Sequence, residues 1–351
     1  MLEKKSHKFA TLKDVARLAE TSTATCSYVL TDATGRYVSD KLRAKVKMAA
    51  KTLGYVKSGA ASSLKGKKTG VIAVLIPQYE NHFFAGIFAA VERTAQKRGY
   101  VLATLNTFDD PEREKKAINQ MVRLRVDGFL VIPTMRGGVN TETLRTHQVP
   151  CVSVERPLVG IPAGEYDFIS SNNLMAGYLL TKNALDNGHK RIALAHWQSE
   201  ITSSIANLDE RRIGYIQAME EQGLFKPNLL FGGDITREEG ARITAQILKD
   251  KTVTAIVYAH YILAEGGIQY LRKNGIRIPE DISVSLLGEP YWSDMVETDF
   301  TRIVQPSEEL GRKAVEVLLA RIEGDSGASV VMEIPTILHK GTSVGKLKRQ
   351  I

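Results

Sequence analysis

The stretch TLKDVARLAETSTATCSYVL, residues 11–30, contains two short helical patterns separated by a tight turn. Thr11 can cap the first helix, and Asp14 lies in its first turn, where the helix dipole favours an anion. Ser22 can cap the second helix, which we expect to run from Thr23 to Leu30. The apolar residues recur at helical spacing and are expected to pack together: Leu12, Val15, Ala16 and Ala19 in the first helix, Cys26, Val29 and Leu30 in the second. The pattern predicts a helix-turn-helix, a motif whose second helix enters the major groove of DNA.

A third helix is predicted to begin at Ser39 and to end near Leu53, with Gly54 just beyond it. Its exposed side carries basic residues suited to phosphate contacts, namely Lys41, Arg43, Lys45, Lys47 and Lys51. The next segment, residues 57–68, is small, polar and basic. It is either a plain linker or a helix that forms only on DNA, and in the second case Leu64 is an apolar wedge for a minor-groove base step.

The charge distribution separates this head from the rest of the chain. Residues 1–68 contain fifteen Lys and Arg against five Asp and Glu, whereas the remaining 283 residues contain 32 against 34. All of the positive excess therefore lies in the first fifth of the chain. This asymmetry indicates a polyanion-binding head on a near-neutral body, with a basic solvated face that has no partner as the alternative.

The composition is that of a globular protein with more than one structural unit. The chain has 351 residues, of which 43% are hydrophobic and 25% charged. It contains no run of about eighteen apolar residues, and its polar N-terminus leads into no signal-peptide core. Cys26 and Cys151 match no metal-ligand spacing. We therefore expect a cytoplasmic protein with reduced thiols and no cofactor.

Beyond Thr69 the pattern changes to alternating strands and helices. The apolar run Val71–Ile76 is typical of a parallel strand covered on both faces. Further strands are predicted at Val101–Leu105, Gly128–Pro133, Cys151–Val154, Arg191–Ala195, Ala255–Tyr258 and Ser283–Leu287, with helices such as Phe83–Arg98 and Glu112–Leu124 between them. This alternation predicts doubly wound α/β units, and the number of strands exceeds what one lobe would use.

Ligands of open α/β sheets bind beyond the carboxyl ends of the strands, where the loops of two lobes would face each other across a cleft. The loops at these positions are rich in hydrogen-bonding and aromatic groups, as sugar binding requires: Pro77–Phe84, Pro133–Met135, Glu155–Arg156, His196–Gln198, Ala259–Tyr261 and Gly288–Trp292. From these loops we select Gln78, Tyr79, Phe84 and Trp197 as candidate ligand-binding residues.

Signatures of catalysis were sought and not found. The sequence has no phosphate-binding P-loop, no dinucleotide-binding glycine pattern, no Gly-x-Ser-x-Gly and no His-Glu-x-x-His. We therefore expect a protein that is not an enzyme.

The stretch Thr11 to Leu64 resembles the LacI/GalR family of bacterial regulators, and the resemblance continues to about Gly341. Four motifs carry it: Leu12-Lys13-Asp14-Val15-Ala16, Ser22-Thr23-Ala24-Thr25, Tyr37-Val38-Ser39 and Leu53-Gly54-Tyr55. The long loop after the second helix is similar to that of the fructose-repressor branch. The resemblance implies an α/β protein with an N-terminal all-α helix-turn-helix head and a two-lobed, periplasmic-binding-protein-like doubly wound core. It also implies lobe crossovers near residues 160–170, 288–292 and 302–306.

By this resemblance Thr23, Ala24 and Tyr28 lie at positions that read bases, and Leu64 lies at the position of an intercalating hinge leucine. The full predicted DNA-binding set is Thr11, Ser22, Thr23, Ala24, Thr25, Ser27, Tyr28, Tyr37, Ser39 and Leu64. Two departures stand out, because Tyr28 replaces a common Arg and Glu20 replaces a common Gly. If the turn needs φ > 0 at Glu20, the strain is about 1 kcal/mol.

For the cleft, the resemblance matches Arg211 to the arginine that holds effector hydroxyls or carboxylates, and Glu155 to an acidic position that is usually Asp. His260 and Glu289 replace the usual Asn and Asp, so the effector is not copied from any relative. Arg156 and Arg211 leave room for an acidic or phosphorylated sugar, or each pairs with a carboxylate. The predicted effector-binding set is Gln78, Tyr79, Phe84, Glu155, Trp197, Arg211, His260 and Glu289.

The sequence therefore predicts a DNA-binding transcriptional regulator, a repressor whose operator affinity is controlled by a sugar-type effector. The alternatives are a sugar-binding module and an α/β enzyme without a DNA role. The expected domains are residues 1–56 (head), 57–69 (hinge), 70–341 (two-lobed core) and 342–351 (basic tail). A homodimer is expected, with a contact face that includes Phe83–Arg98. Repressor or activator, inducer or corepressor, and dimer or tetramer stay open.

Overall fold

The computed structural model describes residues 10–31, 37–56, 68–135, 141–158, 161–162, 164–198 and 206–347. The chain forms two compact units, Met1–Thr69 and Gly70–Ile351, which we call the head and the body. The predicted hinge residue Leu64 lies outside the described residues.

The head contains the three predicted helices: α1 (Leu12–Leu18), α2 (Thr23–Leu30) and α3 (Asp40–Thr52). Each helix begins after a hydroxyl residue whose side chain accepts a hydrogen bond from a backbone N–H of the first turn, and these residues are Thr11, Ser22 and Ser39. At Thr11 the bond is reciprocal, because the Asp14 carboxylate accepts from the Thr11 N–H. The predicted helix starts are confirmed.

The apolar faces of the three helices form one small core. It contains Val15, Ala16, Ala19, Cys26, Val29, Val46, Ala49 and Ala50, with Leu12 and Leu30 at its margin. The predicted packing of α2 against α1 is confirmed. The turn after α1 places Glu20 at φ 50°, the left-handed conformation that we considered from sequence. The Glu20 carboxylate accepts a hydrogen bond from Lys45 Nζ of α3 at 2.5 Å.

The body consists of two lobes, each built on a six-stranded sheet. The strands are β1 (Val71–Ile76), β2 (Val101–Asn106), β3 (Gly128–Val131), β4 (Cys151–Val154), β5 (Asp167–Ser171), β6 (Ile192–Trp197), β7 (Leu230–Gly233), β8 (Ala255–Tyr258), β9 (Ser283–Leu287), β10 (Thr301–Val304), β11 (Val331–Ile334) and β12 (Ile337–His339). The sheet of lobe 1 has the order β11-β5-β4-β3-β1-β2, and all of its strands are parallel. The sheet of lobe 2 has the order β12-β10-β9-β8-β6-β7, and only β12 is antiparallel.

Helices cover both lobes. They are α4 (His82–Lys97), α5 (Pro111–Arg123), α6 (Thr141–Thr146) and α11 (Ser307–Glu323) in lobe 1, and α7 (Asn173–Asp186), α8 (Ala206–Glu220), α9 (Arg237–Ile247) and α10 (Tyr261–Lys273) in lobe 2, with a 3₁₀ turn at Pro227–Leu229. Every strand predicted from an apolar run is present, which confirms the doubly wound, two-lobed architecture.

The positions of the crossovers were only partly right. The chain passes from β5 in lobe 1 to α7 in lobe 2 after Ser171, not within residues 160–170, which include the start of β5. It returns between Val304 and Ser307, as predicted. The last passage joins β11 to β12 at residues 335–336, so the crossover expected at 288–292 was wrong; that loop stays within lobe 2 between β9 and β10.

Three pairs of helices cross with their backbones in close contact, and glycine makes each contact possible. A Cβ at Gly177 of α7 would lie 2.0 Å from the Arg211 carbonyl oxygen, and one at Gly214 of α8 would lie 2.0 Å from the Leu174 oxygen. Equivalent contacts occur at Gly240 and Gly266 between α9 and α10, and at Gly311 between α11 and α4. Because no side chain fits there, these glycines fix the distance between the paired helices.

Ser343 and Val344, which we assigned to a C-terminal tail, are buried, and Ser343 accepts a hydrogen bond from the Val284 N–H of β9. The body therefore extends at least to Val344. Across the described ranges, no helix combines the length and the hydrophobicity that a membrane crossing requires.

Candidate functional site

A cleft between the two lobes collects residues from the carboxyl ends of strands in both sheets. Its described lining residues are Asn81, Phe83, Phe84, Met135, Glu155, Arg156, Asn173, Arg211, Ile235, His260, Tyr261, Leu287 and Gln305. Four of the eight predicted effector residues, Phe84, Glu155, Arg211 and His260, are brought together here.

Glu155 follows β4 with a left-handed backbone, φ 61°, and its side chain is 5% exposed. Its Oε2 accepts hydrogen bonds from the backbone N–H and the hydroxyl of Ser171, both at 2.9 Å. Its Oε1 accepts from Asn173 at 3.2 Å and from Gln305 at 3.3 Å. Burial raises the pKa of Glu155, while the nearby Arg211 guanidinium and these donors act in the opposite direction.

Arg211 belongs to α8 of lobe 2 and reaches Glu155 of lobe 1, with 3.5 Å between Nη2 and Oε1. Its Nε donates to Asn173 Oδ1 at 2.7 Å and its Nη1 donates to the Ala259 carbonyl oxygen at 2.9 Å. The close crossing of α7 and α8 sets this geometry, because Gly177 contacts the Arg211 backbone. The two hydrogen bonds therefore hold the guanidinium within lobe 2, and the ion pair with Glu155 links it to lobe 1.

Arg156 directly follows Glu155 and points along the lobe 1 side of the cleft. Its Nη1 donates to Asp109 Oδ1 at 3.0 Å and to the Pro133 carbonyl oxygen at 2.8 Å. The guanidinium carbon lies 5.2 Å from the centroid of the Phe84 ring, within the range of a cation–π contact. The cleft thus contains two buried arginines.

His260 follows β8 and caps α10. Its Nδ1 accepts a hydrogen bond from the Ile262 N–H at 3.2 Å. Burial, together with the positive charges of Arg211 and Arg156, lowers the pKa of His260 well below its ordinary value. The ring is therefore neutral at physiological pH and carries its hydrogen on Nε2.

The other four predicted residues are not among the described residues that line this cleft. Gln78 lines a neighbouring cavity with His82 and Phe108, and Tyr79 is 47% exposed. Trp197 is the last residue of β6, where it pairs with Gly233 of β7. Glu289 lies on the loop after β9, with its Oε1 3.9 Å from Arg302 Nε.

Asn81, Asn173 and Gln305 line the cleft but were not predicted. Asn173 follows β5 and Gln305 follows β10, two strands that the sequence pattern did not indicate. Had those strands been recognised, the rule that ligands bind at carboxyl ends would have selected both residues.

On the head, the predicted DNA-binding residues fall into two groups. Thr23 and Ala24 are exposed at the start of α2, Tyr37 is exposed, and Thr25, Ser27 and Tyr28 are partly buried. The hydroxyls of Thr11, Ser22 and Ser39 cap helices, so their first role is structural. Four predicted basic residues of α3 are exposed and Arg43 is partly buried; the exposed ones are Lys41, Lys45, Lys47 and Lys51.

Comparison with known proteins gives matches over both units. A family described as "Bacterial regulatory proteins, lacI family" matches residues 11–58, and one described as "Periplasmic binding proteins and sugar binding domain of LacI family" matches residues 69–342. The HTH-type transcriptional repressor PurR of Aliivibrio fischeri strain MJ11 is 32% identical over 97% of this chain and 100% of its own. The ribose operon repressor of Escherichia coli K12 is 32% identical over 95% of this chain and 100% of its own. The crystal structure of the Lac repressor dimer bound to operator and an anti-inducer has a similar fold, with a TM-score of 0.79, 24% identity and coverage of 96% of this chain and 100% of that one.

Proposed function

Because the chain belongs to the LacI family of bacterial regulatory proteins, we propose that it represses transcription by binding operator DNA through its head, under the control of a small molecule in the cleft. The observation that carries this proposal is the head itself. Its second helix is capped by Ser22 and exposes Thr23 and Ala24, next to a third helix with a basic face. Such a helix enters the major groove, while basic side chains beside it contact phosphates.

The small molecule is a sugar or a sugar derivative. The similarity to the sugar-binding domain of the family and to a ribose operon repressor supports this class. The cleft supplies what such a ligand needs, since an aromatic ring, Phe84, lies among the buried polar groups of Glu155, Arg211 and His260. Ligand in the cleft alters the arrangement of the lobes, and operator affinity changes with it, so the two sites are linked reciprocally.

The domain organisation that fits this function is a head (1–56), a hinge (57–69), a ligand-binding core from residue 70 to at least Val344, and a short tail. Two copies acting together read a palindromic operator, and Leu64 of each hinge wedges near its centre. The similarity of the fold to a Lac repressor dimer on operator supports a homodimer. The relatives are transcriptional repressors of bacteria, so we further propose that the protein acts in the bacterial cytoplasm and turns over no substrate.

Selection of bound sequences from fragmented genomic DNA tests this function, with the full-length protein at a stated salt concentration. We expect a palindrome to be enriched. Lys47→Glu on the exposed face of α3 should abolish enrichment, whereas Lys249→Glu, exposed on the body, should not. Absence of an enriched sequence from the unaltered protein, with and without added sugars, would contradict a DNA-binding role and leave the body as a ligand-binding module.

A further inference from the structure

The cleft that we propose as the effector site offers donors to a ligand, while most of its acceptors are already engaged. Both carboxylate oxygens of Glu155 accept two hydrogen bonds each. The Asn173 amide oxygen accepts from Arg211, and the Asn81 amide oxygen accepts from the Phe83 N–H at 3.1 Å. Among the described lining side chains, the Gln305 amide oxygen is the one acceptor without a partner.

The donors are less fully used. Arg156 donates both of its hydrogen bonds to described residues from Nη1. Its Nε and Nη2 are therefore the nitrogens that it can offer to a ligand in the cleft. Arg211 Nη2 lies 3.5 Å from Glu155, beyond a good hydrogen bond, and the neutral His260 ring presents its Nε2–H. A neutral sugar hydroxyl both donates and accepts, so it would find few acceptors here. A ligand group that only accepts hydrogen bonds matches this set of donors.

The electrostatic setting favours the same kind of group. Three helices begin at the cleft, α4 after its cap Asn81, α7 at Asn173 and α10 after its cap His260, and the N-terminal end of a helix carries partial positive charge. Both arginines are nine-tenths buried or more. Asp109 and Glu155 pair with the two arginines, Glu114 and Glu210 also lie close enough to act on them, and the helix ends add partial positive charge.

We propose that the effector carries an anionic group, a carboxylate or a phosphate monoester, which binds between Arg156, Arg211 and His260. Nε and Nη2 of Arg156, Nη2 of Arg211 and the imidazole N–H supply charge-assisted hydrogen bonds to its oxygens. The rest of the molecule lies against Phe84. This inference rests on the proposed effector site and narrows its ligand from sugars in general to acidic or phosphorylated ones.

Calorimetric titration of the full-length protein tests the proposal with four probes: inorganic phosphate, glucose, glucuronate and glucose 6-phosphate. We expect saturable binding of inorganic phosphate and at least about tenfold tighter binding of a charged sugar than of glucose. The comparison of glucuronate with glucose 6-phosphate shows which anion the cleft prefers. The proposal is overturned if glucose binds as tightly as both charged sugars.

Phosphate can also bind to the basic head, so a variant must assign the signal to the cleft. The double variant Arg156→Gln/Asp109→Asn removes an ion pair without changing the net charge, and it should weaken anion binding at least about tenfold. The matched control, Arg242→Gln/Glu239→Gln, removes an exposed ion pair of α9 and should change nothing. Equal anion affinity in the cleft variant and the wild type would place the anion elsewhere and refute the inference. Operator binding is measured on the same samples, so failure of the DNA-binding function appears separately from failure of anion recognition.

Discussion

Glu155 of lobe 1 and Arg211 of lobe 2 form a buried ion pair, 3.5 Å apart, across the cleft. Neither partner is more than 8% exposed in its side chain. A buried charge without its partner is costly, so the pair ties the stability of the body to the closed arrangement of the lobes.

Arg211→Gln should therefore lower the free energy of unfolding of the body by roughly 3 kcal/mol or more, because it leaves the Glu155 carboxylate buried without a countercharge. Arg211→Gln/Glu155→Gln should recover much of the loss. Urea unfolding followed by tryptophan fluorescence measures this, since both tryptophans of the chain, Trp197 and Trp292, lie in the body. As a control, Arg93→Gln breaks the exposed pair with Glu308 and should cost under about 1 kcal/mol. A loss at Arg211 no larger than at Arg93 would contradict the role of the pair.

Glu114 of α5 gives a prediction about pH. It is fully buried, its Oε2 accepts from the Thr134 N–H at 2.9 Å, and its Oε1 has no hydrogen-bond partner among the described residues. Burial raises its pKa from 4.5 to about 7, with the charge of Asp109 acting in the same direction and that of Arg156 against it. The folded state therefore binds the proton more tightly than the unfolded state. The resulting loss of stability begins above pH 4.5 and is complete above pH 7.

Glu114→Gln should remove that loss, because the amide stays neutral. The body should gain up to roughly 3 kcal/mol at pH 8 relative to wild type, and the difference should vanish near pH 4.5. Urea unfolding at several pH values measures this difference, with Glu112→Gln on the exposed side of the same helix as control. A gain that does not depend on pH would rule out Glu114 as the titrating group.

The crossing of α7 and α8 predicts intolerance of a methyl group at Gly177. A Cβ there would lie 2.0 Å from the Arg211 carbonyl oxygen, so Gly177→Ala must separate the helices and shift Arg211. We expect a loss of roughly 1–3 kcal/mol in the stability of the body and weaker effector binding. Gly327→Ala is the control, because its Cβ would meet only side-chain atoms, Asp325 Oδ1 at 3.1 Å and Arg321 Nη1 at 3.8 Å. Unchanged stability and ligand affinity of Gly177→Ala would show that the crossing does not position the arginine.

The left-handed conformation of Glu20 predicts an order of head stabilities. Glu20→Gly relieves about 1 kcal/mol of strain and gives up an exposed ion pair with Lys45 that contributes less than about 1 kcal/mol. Glu20→Ala keeps the strain and loses the pair. Hydrogen exchange of α1 and α2 in the full-length protein should show most protection in the Gly variant and least in the Ala variant. More protection in the wild type than in the Gly variant would mean that the ion pair outweighs the strain.

Two exposed positions of the head should separate affinity from specificity. Lys51→Gln on α3 should weaken binding to all sequences alike and reduce the salt dependence by about one counterion. Thr23→Ala on α2 should leave the salt dependence unchanged and alter the preferred bases. Binding titrations at several salt concentrations, on operator and on unrelated DNA, test both. A change of base preference in Lys51→Gln would contradict this division of roles.

The elements that were predictable from sequence share a strong local signal. The caps at Thr11, Ser22 and Ser39 mark the helices of the head, and unbroken apolar runs mark strands such as β1 and β9. The five unpredicted strands lack such runs. For example, β5 reads Asp-Phe-Ile-Ser-Ser, yet all five residues are buried, and Asp167 and Ser171 at its two ends form hydrogen bonds with Arg321 and Glu155. Local hydrophobic periodicity in the sequence does not report tertiary contacts of this kind.

The prediction of cleft residues also depended on how well the strands were recognised from sequence. Glu155 directly follows the recognised strand β4, His260 lies two residues beyond the recognised strand β8, and the cleft contains both. Trp197 was placed in a loop, but β6 runs two residues beyond its predicted end and includes it. A shift of two residues at a strand end is enough to move a side chain out of a ligand site.

Because the chain returns to lobe 1 after lobe 2, its path also determines the order in which the parts of the body can fold during synthesis on the ribosome. The core of lobe 1 includes Leu310, Ala314, Val315, Leu318 and Leu319 of α11, and its sheet is completed only by β11. Synthesis proceeds from the N-terminus, so all of lobe 2 up to β10 emerges before these residues exist. The nascent chain therefore carries a complete head while the part of the lobe 1 core that α11 supplies is still missing. A message truncated before residue 307 yields a head attached to a body that cannot close its first lobe.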